Sequence, residues 1–124
     1  MQKMNELTLD YTKTREQFGQ ALSKFQALQH RMVDTFMVHE QTKSLLLMAA
    51  AKMNDKAADT SKSISALKYQ IGSAAKLIGE ESIQLHGGMG VTEEMSIGHY
   101  FKRLTTIRTI FGNSDYHLKR YSSL

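Results

Sequence analysis

No proline interrupts the 124 residues, and no other property of the sequence constrains its fold as strongly. Proline removes a backbone donor and clashes with the preceding helical turn, so a chain without it can keep long helices unbroken. What then matters is the period of the apolar residues. Ile64, Leu67, Ile71, Ala74 and Ile78 step alternately by three and four, the spacing of one helix face along a bundle seam. Phe25, Leu28, Met32 and Phe36, continued by Leu46, Ala50 and Met53, mark a second face. Gly72, Ala75 and Gly79 form a stripe of small residues against which another helix can lie closely. No stretch alternates convincingly with period two. The expectation is an all-α protein, an antiparallel four-helix bundle with a short extra C-terminal helix, in one domain over 1–124.

Punctuation along the chain sets the element boundaries. Residues 3–18 read as the end of a helix, with Leu7, Tyr11 and Phe18 on or near one side. Nothing at Met1 resembles an N-cap, so this helix is expected to begin upstream and the chain to be a fragment. Gly19 serves as a helix C-cap, and Ser23 with Gln26 fits a capping box for the next helix. "NDKAADTS" at 54–61 is a turn with cap candidates. A further helix covers about 96–108 through Ile97, Tyr100, Phe101, Leu104 and Ile107, and a short last one follows Asn113 or Ser114.

Charge and cysteine content narrow the function classes. The chain carries a formal net charge of +4, which admits nucleic acid, an anionic membrane surface or a phosphate-bearing ligand. Lys102, Arg103 and Arg108 lie among aromatics, but Tyr100 and Phe101 fall at core spacing, so nucleic-acid binding is not expected. The longest apolar run, 45–51, is far too short to span a bilayer. With no cysteine there is no disulfide or thiolate metal site, and a reducing, cytoplasmic setting is the expectation. His30, His39, His86, His99 and His117 contain no i, i+4 pair, so no metal site is expected. His39 reads as a hydrogen-bonded interhelical residue.

Two constellations carry chemistry. In "IQLHGGMGVTEE" (83–94) a helical pattern stops at Gly87 and Gly88, with Gly90 close behind. One glycine is enough for a C-cap. Three leave backbone bare of β-carbons, where a ligand can lie and amides can donate to phosphate oxygens. In "YTKTREQFG" (11–19), Arg15 follows Tyr11 by one turn and precedes Gln17, Phe18 and Gly19. It reads either as a solvated arginine favoured by the helix dipole or as a planar fork for a pyrophosphate.

Together the two segments resemble the Tyr-x-x-x-Arg-x-Gln-Phe-Gly and Gln-x-x-Gly-Gly-x-Gly-x-Thr segments of acyl-CoA dehydrogenases, in matching order and separation. The resemblance covers essentially the whole chain and only the C-terminal helical domain of that family. "HGGMG", "HYFKRLT" and "FGN" are further similar to the small subunits of bacterial acyl-CoA dehydrogenases of the pimeloyl-CoA type. The resemblance implies FAD as cofactor, with Arg15 on the pyrophosphate, Gln17 beside it and Phe18 near the adenine end. Phe25 and Gln26 match a further cofactor-contacting pair. Gln84, Gly87 and Gly88 match the segment that receives the adenosine–pyrophosphate part across a subunit boundary. An acyl-CoA substrate, a homo-oligomer or a heteromer with a paralogous subunit, and an electron-transfer partner are implied as well.

One position departs from the family's pattern. Counted without gaps from Gln84, Ile110-Phe111-Gly112-Asn113 falls on the Tyr-Glu-Gly-Thr whose glutamate takes the α-proton of the thioester. A phenyl ring accepts no proton, so Phe111 cannot be that base. Gly112, Asn113 and Asp115 can still offer flavin-contacting groups, and neither Asp115, Glu93 nor Glu94 is expected to replace the base. Either the base lies upstream of Met1, or this is a base-less, non-catalytic partner subunit that completes the cofactor site. The isolated 124 residues are expected to be inactive.

Overall fold

The computed structural model describes residues 1–124. Five helices account for nearly all of it: α1 (Gln2–Thr14), α2 (Gln26–Asn54), α3 (Thr60–His86), α4 (Ser96–Ile107) and α5 (Ser114–Ser123). The all-α expectation holds, with α1 to α4 as the bundle and α5 as the short addition. A minimal antiparallel hairpin, β1 (Glu16–Gln17) and β2 (Gln20–Ala21), lies between α1 and α2. No helix is long and apolar enough to cross a membrane.

Helix α3 is the axis of the molecule. Eleven of the twenty buried residues lie on it, which is why every other helix packs against α3. Leu67, Ala74 and Ile78 of the expected seam are buried, with Ile64 and Ile71 at its margin. Met4 of α1 and Ile97 of α4 meet Ile78 at the centre. The small-residue stripe does seat other helices. Ser114, at the start of α5, fills the space where Gly72 lacks a β-carbon, and the Phe101 ring of α4 does the same at Gly79.

Helix α2 differs from its periodicity. Its buried residues are Thr35, Thr42 and Ala49, spaced by seven, while Phe36, Leu46, Ala50 and Met53 of the expected face are exposed. The threonines can face inward because each hydroxyl donates to a carbonyl of its own helix: Thr35 Oγ1 to Met32 O at 2.8 Å, Thr42 Oγ1 to Val38 O at 2.7 Å. Such back-bonding removes the cost of burying a hydroxyl, so a slim polar residue can occupy a tight interface. Tyr100 is likewise exposed rather than in the core.

Four local expectations are corrected. The first helix stops at Thr14, not residue 18, because Arg15 leaves the helical region (φ −79°, ψ 120°). Gly19 is therefore no helix cap. It is the second residue of the hairpin turn, with Phe18 at φ 56° and Gly19 at φ 79°, the two positive values of a type I′ turn. The capping box does not form: α2 has Phe25 at its N-cap, and Ser23 instead offers its carbonyl to Gln29 Nε2 at 2.8 Å. At 54–61 the Lys52 ammonium pairs with Asp59 and holds that carboxyl below the usual carboxylate range. The Lys52 carbonyl accepts from both Ala57 N and Thr60 Oγ1, each at 3.0 Å. His39 bonds its sequence neighbour Glu40 (Nδ1 to Oε1, 3.2 Å), not another helix.

Candidate functional site

The departure of Arg15 from α1 creates the site. Its amide still donates to Tyr11 O at 2.8 Å, while its carbonyl accepts from Leu22 N at 2.9 Å across the hairpin. Both ends of the residue are thereby fixed, and the chain turns so that Arg15 and Gln17 stand against the end of α3. That end is closed by Gly87, whose φ of 59° and ψ of −142° no residue with a β-carbon adopts without strain.

Between these two segments lies a cleft of about 480 Å³. Arg15 and Gln17 line it from one side and Gln84, Gly87 and Gly88 from the other. These five residues come from two segments some seventy residues apart, and the fold brings them together within one chain. A β-carbon on Gly87 or Gly88 would meet nothing within 4 Å, so the backbone there is open to an approaching molecule. Gly90 has a different duty. A β-carbon on it would lie 2.8 Å from Ile83 O and 3.1 Å from His86 Cβ, so it must be glycine for the Gly87–Val91 turn to fold back onto α3.

Residues that the sequence did not mark as part of a site complete the walls. Leu22, Leu28, Leu85 and Met89 supply apolar surface, and Arg31 adds a second guanidinium. No aspartate or glutamate lines the cleft. Arg15 takes part in none of the chain's ion pairs. Arg31 donates Nε to Glu81 Oε2 at 2.5 Å, and this hydrogen bond raises its pKa above the ordinary arginine value. Arg31 lies one helical turn after Leu28, a signal that only the helix geometry of α2 makes readable.

Beneath the cleft sits His86, 3% exposed. The Tyr11 ring stacks on its imidazole at 4.3 Å with 21° between planes, and the Tyr11 hydroxyl donates to His86 O at 3.3 Å. Its Nδ1 lies 2.7 Å from Ser82 O. A carbonyl can only accept, so Nδ1 carries the proton and Nε2 is left as a lone pair. That Nε2 is buried without a partner. Burial accordingly pushes the His86 pKa down.

The remaining expected site residues do not line this cleft. Phe18 is 89% exposed at the hairpin tip and meets Phe25 edge to face at 6.1 Å. Gln26, the first residue of α2, is exposed. Gly112, Asn113 and Asp115 lie at the α4–α5 junction, where Phe111 is also 89% exposed, with φ 60°. Lys68 Nζ donates to Ile110 O at 2.8 Å, and His117 Nε2 to Phe111 O at 2.9 Å. Asn113 caps α5 through Oδ1, which accepts from Tyr116 N at 2.9 Å. Ser114 of this junction lies against Gly72 of α3, about twelve residues before Gln84, roughly 18 Å along a helix axis. Glu93 pairs with Lys102 at 3.3 Å. No three His, Asp or Glu side chains are grouped so as to hold a metal ion.

Comparison with known proteins agrees with this architecture. The profile of the acyl-CoA dehydrogenase C-terminal domain matches residues 1–122. The acyl-CoA dehydrogenase IpdE2 of Mycolicibacterium smegmatis is 34% identical over 116 residues, which are 93% of this chain and 35% of that protein. Among solved structures, a variant of the steroid ACAD Tcur3481-Tcur3483 superposes with a TM-score of 0.94 at 30% identity. It is matched over 98% of this chain and 34% of that one. PigA with FAD and proline gives 0.90 at 28% identity, over 98% and 32%. The chain thus spans about a third of the length of the relatives it matches. On a family match that spans nearly all of its residues, the chain belongs to the acyl-CoA dehydrogenase family, and the match falls on that family's C-terminal domain.

Proposed function

We propose that this chain is the C-terminal domain of an FAD-dependent acyl-CoA dehydrogenase, an oxidoreductase that desaturates an acyl-CoA thioester between Cα and Cβ. Its part is to hold the diphosphate–adenosine portion of FAD and to supply an oligomer interface. The observation that carries this reading is the convergence of Arg15, Gln17, Gln84, Gly87 and Gly88 on one acid-free cleft. The donor set fits a diphosphate: a planar fork free of ion pairs, and two glycines with open space where β-carbons would stand. Leu22, Leu28 and Met89 offer the apolar wall that a nucleobase needs. When bound, FAD supplies the acceptor for the hydride leaving Cβ. The chain's own contribution is to bind and orient that cofactor.

The Gly112–Asp115 segment lies too far along α3 for one diphosphate to touch both loci. We therefore assign the two segments to cofactors shared between protomers. Arg15→Ala in the full-length protein is expected to weaken FAD retention roughly 10- to 100-fold, the worth of one charge-assisted hydrogen-bonded group. Flavin absorbance after dialysis reads this directly, and unchanged retention would remove Arg15 from the site.

Phe111 favours a second reading, a base-less partner subunit that completes a cofactor site in a heteromer. Its phenyl ring stands exposed at the position assigned to the base by resemblance, with no group to take the α-proton. Acyl-CoA-dependent dye reduction by full-length protein, alone and with a co-encoded paralogue, separates the two. Turnover alone requires a base elsewhere in the longer chain; turnover only with the paralogue supports the partner-subunit reading.

A further inference from the structure

Arg31 belongs to no segment that the resemblance assigns to the cofactor, yet it lines the same cleft as Arg15. The two arginines line it from different elements, Arg15 from the α1 terminus and Arg31 from one turn after Leu28 on α2. Arg31 is not free to wander. Its Nε is bonded at 2.5 Å to Glu81 of α3, which spends one of five donors and leaves Nη1 and Nη2 without protein partners. Glu81 itself is not among the cleft-lining residues, so the carboxylate holds the guanidinium from outside the cleft. With the side chain 38% exposed, the free edge remains accessible.

We infer that Arg31 is a second diphosphate-gripping residue, so that Arg15 and Arg31 each bind one phosphate group of the dinucleotide. The chemistry follows from the donor inventory. One planar fork satisfies the oxygens of one phosphate bidentately, and a diphosphate presents two such groups. A cleft lined by two arginines and no carboxylate offers a matching pair, with the Gly87–Gly88 backbone open beside them. The Glu81 pair makes Arg31 contribute through directed hydrogen bonds more than through long-range field, since its charge is largely offset. The inference rests on the dinucleotide reading of the cleft and adds to it the number of phosphates recognised.

The test uses full-length protein, with FAD retention by flavin absorbance and competition by ADP and AMP against bound FAD. In the wild type, ADP is expected to compete better than AMP. Arg31→Ala is expected to weaken FAD retention about tenfold and to narrow the ADP-over-AMP preference by a similar factor. Arg31→Lys, which restores a point charge without the fork, should recover only part of it. Glu81→Ala breaks the same ion pair but keeps the guanidinium, so its ADP-over-AMP preference should stay within about threefold of wild type, whatever happens to thermal stability. If Glu81→Ala reproduces the nucleotide defect of Arg31→Ala, or if Arg31→Ala leaves the preference unchanged, Arg31 is a structural partner of α3 and the inference is overturned. Arg15→Ala separates the two levels. Loss of FAD with Arg15→Ala but not with Arg31→Ala refutes only the second grip, whereas no loss with Arg15→Ala refutes the site.

Discussion

At the residue scale, His86 couples the cleft floor to protonation. Its Nδ1–H is bound to Ser82 O, and its Nε2 lies buried with no acceptor in reach. Protonation would place a second N–H where nothing can receive it, so the folded state favours the neutral ring and the pKa falls. The unfolded chain, with an ordinary imidazole pKa of about 6.5, then binds more protons than the folded one just below that value. Stability should therefore rise with pH through this window and be lost as pH falls from about 6.5 towards the folded pKa. Replacing His86 by Phe keeps an aromatic ring against Tyr11 and removes the titration. Urea unfolding at pH 7.5 and 5.5 should show the wild type losing more stability on acidification than His86→Phe. Equal losses would show that His86 is not the responsible group.

At the scale of elements, the stripe on α3 decides how closely its neighbours approach. Gly79 stands against the Phe101 ring, whose Cδ2 would be 3.0 Å from an added β-carbon. A larger side chain must push α4 away from α3, and with it Ile97 from the Met4–Ile78 centre. Gly79→Leu is expected to destabilise the fold by about 1–3 kcal/mol, the usual cost of overpacking. The measurement is a chemical denaturation midpoint. Leu77→Ala is the control, two residues away and on an exposed face; its effect should be within about 0.5 kcal/mol. A Gly79→Leu protein as stable as wild type would mean α4 is held by something other than this contact.

For the whole molecule, the decisive fact is that α2 turns threonines inward and large apolar side chains outward. Phe36, Leu46, Leu47 and Met53 are all more than half exposed. Several large apolar side chains left outward on one helix mark an interaction face. The 124-residue chain is therefore expected to self-associate, with sedimentation giving species heavier than 14.0 kDa that grow with concentration. Phe36 and Leu47 stand almost in line on the helix, eleven residues apart. Changing both to Glu should return the monomer without loss of helicity, and continued association would place the contact on another face.

What the sequence alone determined was everything that local chemistry enforces: all-α folding without proline, the α3 seam, the seating stripe of small residues, and the Arg15 and glycine-turn segments as loci of interest. Those signals are repeated along the chain, so each element announces itself. The two-residue strands were illegible because a pair of residues has no period, and the positive φ of Phe18 arises only when the hairpin closes. Arg31 could not be read as part of the site, since its relation to Arg15 exists only after α2 packs against α3. The inward face of α2 was also beyond reach, because a back-bonded threonine and a solvated one are the same letter. Only the packed structure decides which side of a helix is in, since burial depends on what lies opposite and not on the residue alone.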